Sequence, residues 1–224
     1  MLYLYETTYP YTGVIDEYIK VMETDLIPGL NRHMRVMGVF RVAFKHRETF
    51  FLSELPQGTD TLEGLSNFVG RERDGLMWHR AGFRYRDEWF DSLLEGLPFS
   101  PTAEQVKERQ KRGEFTGNDI YYRLIYSVLP GKTDEFLQSF EREMLPAAEK
   151  GGMKLAGCYR WFGACGESGE IITLWALKNW AHWGEIHEAA KKDPAFKKWA
   201  DKVPGLCAEW TYKFFLPAPY SFLH

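Results

Sequence analysis

The feature that most constrains this chain is that it repeats itself. Gly13-Val14-Ile15-Asp16-Glu17-Tyr18 aligns with Gly131-Lys132-Thr133-Asp134-Glu135-Phe136, with Gly, Asp, Glu and an aromatic residue coinciding at an offset of 118 positions. Carried forward without a gap, Asp25-Leu26-Ile27-Pro28 meets Glu143-Met144-Leu145-Pro146, and Met37-Gly38-Val39 faces Leu155-Ala156-Gly157. The likeness returns at the end of each half, where Leu97-Pro98-Phe99-Ser100 resembles Ala218-Pro219-Tyr220-Ser221, now 121 positions apart. Between these anchors, Asp74-Gly75-Leu76-Met77-Trp78 corresponds to Asp193-Pro194-Ala195-Phe196 and Trp199. Matches in one order at nearly one offset mark a tandem duplication, and the fold must satisfy the same pattern twice.

Each half reads as strand, helix, two strands, helix, strand. In the second half, Ile120 to Val128 is a Tyr- and Ile-rich strand, and Pro130-Gly131 turns the chain. Phe136, Leu137, Phe140, Met144 and Leu145 recur at helical spacing, which predicts a helix from Asp134 to Glu149, stopped by Gly151-Gly152. Leu155 to Phe162 and Glu170 to Leu177 form a hairpin across 163–169, Trp180 to Lys191 a second helix, and Glu209 to Leu216 a last strand. The first half repeats the plan over Leu2 to Tyr9, Val14 to Leu26, Val36 to Lys45, Thr49 to Leu55, Leu62 to Arg73 and Phe83 to Phe90. Residues 1–100 and 120–224 are thus two ferredoxin-like βαββαβ repeats, and 101–119 is a polar helical linker starting near Thr102.

A four-stranded sheet with both helices on one face leaves its other face bare. Strands with aromatic residues on both faces, such as Tyr122, Leu124 and Tyr126 against Tyr121, Arg123 and Ile125, cannot leave one side in water. The predicted fold class is therefore α+β, with two tandem ferredoxin-like repeats packed sheet to sheet as an intramolecular dimeric α+β barrel. A pocket between the sheets would take a small-molecule ligand.

Composition narrows the partners. A formal net charge of −3 and a pI near 6.1 argue against nucleic acid. No apolar run approaches the ~20 residues that span a bilayer, and Met1-Leu2-Tyr3-Leu4-Tyr5-Glu6 lacks the pattern of a signal peptide. Cys158, Cys165 and Cys207 are odd in number and lack metal-ligand spacing, which points to reduced thiols in the cytoplasm. The expected partners are a small molecule and a second copy of the chain, with no nucleic acid, membrane or metal.

Residues 129–136, Pro146, Gly157, the Ile172-Thr173-Leu174-Trp175 strand, the Asp193-Pro194-Ala195-Phe196 turn and the ending Phe215-Leu216-Pro217-Ala218-Pro219-Tyr220-Ser221 resemble the NIPSNAP family. The resemblance covers 120–224 well and 1–100 more loosely. It implies the dimeric α+β barrel superfamily, whose members include cofactor-independent quinol monooxygenases, cyclases, isomerases, haem enzymes and binding proteins. Many NIPSNAP members resemble Tyr-Glu-x-Arg-x-Tyr in the first strand of a repeat. Here the second half places Tyr122 and Leu124 at the Glu and Arg positions, and the first keeps Tyr5-Glu6 without the Arg.

No nucleophile elbow, phosphate loop, dinucleotide fingerprint or zinc spacing is present. His79, in Trp78-His79-Arg80, and His187, on one helical face with Trp180 and Trp183, are the candidate proton carriers, with Tyr122. Arg41, Tyr126, Tyr159, Trp161, Trp175, Tyr85 and Trp89 are candidate substrate-binding residues, and Arg41 suits a developing oxyanion. Alternation pairs Tyr159 with Trp161 but leaves open which face of each strand points inward. The expected function is a cofactor-independent small-molecule enzyme of monooxygenase, isomerase or cyclase type, acting on an apolar or aromatic substrate. A non-catalytic binding or scaffold protein and a haem-binding barrel with His187 as ligand are the alternatives.

Overall fold

The computed structural model describes residues 1–61, 63–68, 82–115, 119–162 and 170–223. The chain divides into two compact units, one of Met1–Glu95 with Leu216–His224 and one of Gly96–Phe215. It is α+β, and each unit carries one ferredoxin-like repeat.

In the first unit, β1 (Leu2–Pro10) lies antiparallel between β3 (Thr49–Glu54) and β4 (Arg86–Gly96), and β2 (Arg35–Val42) borders β3. The strand order β4-β1-β3-β2 is that of a ferredoxin-like sheet. In the second unit, β5 (Ile120–Val128) lies between β7 (Glu170–Leu177) and β8 (Cys207–Pro217), with β6 (Lys154–Trp161) beyond β7. The order β8-β5-β7-β6 repeats the first. The last strand of each repeat starts off from its expected place: Arg86 rather than Phe83, and Cys207 rather than Glu209.

The duplication extends to irregularities. α1 (Ile15–Val21) passes through a π-helical turn, Met22–Leu26, into α2 (Ile27–Leu30), and a short α3 covers 63–68. In the second unit, α5 (Thr133–Ser139) passes through a π turn, Phe140–Met144, into α6 (Leu145–Lys150), at the same offset of 118. The cause is a proline. Pro28 and Pro146 have no N–H to give the carbonyl four residues back, and their rings would press on it. Widening the preceding turn relieves that contact, so the N–H groups of Ile27 and Leu145 reach Met22 O and Phe140 O. Gly13 and Gly131, with φ of 86° and 76°, begin both helices from a left-handed conformation that favours glycine.

Helix α4 (Ala103–Lys111) has a capping box, in which Thr102 Oγ1 accepts from Gln105 N–H and Gln105 Oε1 accepts from Thr102 N–H. It is less solvated than its polar composition suggests. Ala103 and Val106 are buried, and Arg109 Nη1 donates to Leu155 O at 2.7 Å, so this helix belongs to the second unit. Past α7 (Trp180–Ala190), the expected Asp193-Pro194 turn opens a further helix, α8 (Pro194–Lys202). Asp193 caps it by accepting from Ala195 N–H, with Pro194 at a first-turn position that needs no N–H. α8 buries Trp199 against Phe136 and Phe140, at centroid distances of 5.5 and 5.9 Å, and Trp175 lies 6.0 Å from Phe140. This aromatic cluster is the middle of the second unit's core.

The chain from Leu216 onward packs in the first unit. Ala218 N–H donates to Val39 O, Val39 N–H to Ser221 Oγ and Leu223 N–H to Met37 O.

Gly38 and Gly157 sit at matching bulges in β2 and β6, and a Cβ at either would run into the ring two residues on, Phe40 or Tyr159. Gly157→Ala is expected to lower the unfolding free energy by about 1–3 kcal/mol through overpacking. Gly184→Ala, in α7 with open space around it, should change it by less than ~1 kcal/mol or raise it. Urea denaturation of the two variants checks the contrast.

Candidate functional site

Within the second unit a cavity of ≈ 230 Å³ lies between the sheet and its covering helices. Side chains on β5 alternate, and the even-numbered Tyr122, Leu124 and Tyr126 face the helices and form one wall. Met144, the last residue of the π turn, and Met153 contribute flexible thioethers. Ile186, His187 and Ala190 come from α7, and Phe196 and Trp199 from α8. The cavity thus lies under the helices, not on the sheet face where the sequence argument placed a pocket.

Its polar groups are few. The Tyr122 ring packs against Trp183 at 4.6 Å, Phe214 at 4.9 Å and Tyr212 at 5.7 Å. Tyr126 meets Phe136 at 5.1 Å and the edge of Trp199 at 6.4 Å. Both tyrosines are more than nine-tenths buried, and among the described residues neither hydroxyl has a hydrogen-bond partner. Burial raises both phenol pKa values, Tyr212 adding to the effect at Tyr122, and Tyr122, Cys207 and Cys158 adding to it at Tyr126. At neutral pH these phenols are therefore neutral hydrogen-bonding groups rather than bases. His187 is exposed at the cavity's edge, 5.9 Å from the Trp183 ring.

The other residues singled out in sequence lie elsewhere. Arg41 pairs with Asp16 and keeps its head in water. Tyr159 is buried over Gly157, and Trp161 donates to Glu170. Trp175 is fully buried, its Nε1 donating to Thr173 Oγ1 at 3.0 Å. Tyr85 is half-buried, and its carbonyl accepts from Tyr11 N–H. Trp89 lies under the Arg86 guanidinium, 4.6 Å from its carbon. His79 falls outside the described residues, as do Cys165 and 163–169.

Arg86 belongs to a cluster that sequence reading missed. In the first unit, Glu6 Oε1 accepts from Arg86 Nη1 at 2.5 Å and from Thr8 Oγ1 at 2.7 Å, with Tyr18 OH 3.5 Å from the same guanidinium nitrogen. All four residues are buried, while Asp91, opposite Glu6 on β4, is exposed. Removal from water, reinforced by Asp91 against the pull of Arg86, pushes the Glu6 carboxyl up to about 8. Burial likewise pushes the Tyr18 phenol up to about 12. Strand register shows what became of this cluster in the second unit. Glu6 opposes Asp91 as Leu124 opposes Tyr212, and Pro10 opposes Arg86 as Val128 opposes Cys207. One repeat buries an ion pair where the other buries Leu124 and Cys207 beside an apolar cavity. Tyr5-Glu6 was the visible signal, but its partner is 80 residues away in sequence.

Among the described residues no group of three or more His, Cys, Asp or Glu is placed to hold a metal ion, and no helix is long and apolar enough to cross a membrane.

The strand order β8-β5-β7-β6 and the paired π turns show that the second repeat, on which the family resemblance rested, has the same build as the first. Residues 122–222 match the NIPSNAP family model. No curated protein matches the sequence. Over nearly its whole length the chain shares its fold with two solved proteins each named "putative monooxygenase". The one from Lactobacillus acidophilus has a TM-score of 0.63 at 12% identity, covering 96% of this chain and 93% of that one. The one from Fusobacterium nucleatum has a TM-score of 0.64 at 7% identity, covering 96% and 91%. An anthrone oxidase-like protein aligns with a TM-score of 0.61 at 13% identity, covering 97% and 91%. At these identities the likeness establishes a fold in common: a NIPSNAP-matching second repeat preceded by a ferredoxin-like relative of itself.

The Glu6–Arg86 pair generates two expectations. Arg86→Met would strip the buried Glu6 carboxyl of its guanidinium partner and is expected to cost about 1–3 kcal/mol of stability. A carboxyl whose folded pKa lies above its ordinary 4.5 binds more protons in the native state between that value and about 8. Its contribution to stability is therefore full below about pH 4.5 and is lost as pH rises through 8. Urea midpoints of the wild type should fall between pH 5 and 8, and Glu6→Gln should flatten that slope.

Proposed function

We propose that the second unit's cavity takes up a small apolar, aromatic molecule. The chain then transforms it without a bound cofactor, by an oxidation, isomerisation or cyclisation that begins with proton removal at the cavity's edge. The observation that carries this reading is the cavity itself, apolar on nearly every side, with two uncommitted phenol hydroxyls in its wall and one imidazole at its rim. His187 is the one lining residue among those described that carries an imidazole, the side chain most often used to move protons. Tyr122 and Tyr126, as neutral phenols, would hold the substrate's oxygen and stabilise charge developing on it. The names of the fold's neighbours, monooxygenase and anthrone oxidase-like, agree with oxidation of an aromatic substrate.

The size of this cavity favours a ligand smaller than haem. An engineered cavity of ~150 Å³ holds a single benzene ring, so a space of ≈ 230 Å³ suits a ligand of that order rather than a four-pyrrole macrocycle. Among the described residues lining the cavity there is also no Lys or Arg for a porphyrin's propionates. A non-catalytic binding protein is the second reading, favoured by the exposure of His187.

Trp183, Trp199 and Trp210 line the cavity, so occupancy should change tryptophan fluorescence. Titration of the full chain with phenol and with 1,4-naphthohydroquinone should give a saturable change. Ala190→Leu, which fills the cavity from α7, should weaken it at least tenfold without lowering the melting temperature. Oxygen uptake or product formation from the hydroquinone should fall by ~10²–10⁴ in His187→Ala if the imidazole is the base. Binding without turnover selects the second reading. No saturable binding by either compound ends both.

A further inference from the structure

The chemistry of the cavity wall is specific enough to name what it accepts, on the premise that this cavity is the ligand site. We infer that the ligand is an uncharged molecule of one or two fused rings bearing a hydroxyl or carbonyl oxygen. The ring system lies among Leu124, Met144, Met153 and Trp199, with the oxygen turned toward Tyr122 and Tyr126.

Three observations converge on this. The first is charge. Among the described residues lining the cavity there is no Lys, Arg, Asp or Glu, and His187 stands at the exposed edge. A carboxylate, phosphate or ammonium group would lose its water inside and gain no counter-ion, a cost of several kcal/mol or more.

The second is the pair of hydroxyls. Buried tyrosines ordinarily place the O–H against a partner. Here two on one wall, each more than nine-tenths buried as a residue, have none among the described residues, and both side chains line the same cavity. A ligand oxygen placed between them accepts from one phenol or donates to it, and meets the other. A plain hydrocarbon would fill the volume and leave both unpaired.

The third is size. A space of about 150 Å³ suits benzene; scaled by carbon count it becomes about 250 Å³ for two fused rings and about 350 Å³ for three. The cavity's ≈ 230 Å³ matches the two-ring figure. A third ring would stand outside, at the rim beside His187, and contribute little apolar burial. The second repeat offers such a site where it places Leu124, while the first repeat places the charged Glu6, bonded to Arg86, at the equivalent strand position.

The test is calorimetric titration of the full chain with phenol, 2-naphthol, 9-phenanthrol, naphthalene and 2-naphthoate. Affinity should rise about tenfold or more from phenol to 2-naphthol, as four buried carbons are added. It should change less than threefold from 2-naphthol to 9-phenanthrol. Naphthalene should bind about tenfold more weakly than 2-naphthol, and Tyr122→Phe together with Tyr126→Phe should abolish that difference while leaving naphthalene's affinity intact. The carboxylate should not bind measurably.

Equal affinities for naphthalene and 2-naphthol, a difference that survives in the Phe double variant, or tight binding of 2-naphthoate would each overturn the ligand assignment while leaving the cavity as a binding site. Tenfold tighter binding of 9-phenanthrol would overturn the size limit and with it the assignment. Failure of all five compounds to bind, with the variants still folded, would instead remove the cavity reading on which the assignment rests.

Discussion

The helices of each unit cover one face of a four-stranded sheet, and the two-residue period of the first strand decides what they cover. Once Tyr18 and Phe136 pack down from the first helix of each repeat, Glu6 and Thr8 in one unit, and Leu124 and Tyr126 in the other, are committed to the dry side. A one-residue slip would turn Arg123 toward the helices and Tyr122 away from them. The Pro-driven π turn serves the same layer, because it buries Met22 and Leu26 in one unit and their equivalents Phe140 and Met144 in the other.

Against that shared frame the two copies have gone in opposite directions. The first fills the space beneath its helices with a buried ion pair, a threonine and a tyrosine. Such a cluster adds little net stability over apolar packing, but it is costly to disrupt and fixes the pairing of β1 with β4. The second fills the same layer with aromatic rings that pack edge to face around Phe140 and Trp199. Large rigid rings do not tile space fully, and the volume left between Tyr122, Tyr126 and Trp199 is the cavity.

The repeat, the element order and most strand limits were legible in the sequence, since periodicity and turn residues are local signals. β5 and β7 have the bounds read from residue pattern alone. Where local reading fell short, a distant contact was responsible. α8 looked like a turn because Asp193-Pro194 ends one helix and caps the next with the same residues. The connector helix looked solvated because its buried side is only Ala103 and Val106. Of the residues chosen for chemistry, Tyr122, Tyr126 and His187 lie around one cavity. Arg41, Tyr159, Trp161 and Trp175 already have partners in pairing or packing.

By itself the sequence determined that the chain is two copies of one α+β unit, because hydrophobic period, proline and glycine act within a few residues of where they stand. It also held the residue types a site would need. Only the tertiary structure decided which face of β5 meets the helices, that Glu6 has its guanidinium from Arg86, and that two tyrosines share a cavity wall. Those outcomes depend on which strands pair and in what register. Register is set by the summed burial of whole faces, which no single stretch of sequence encodes.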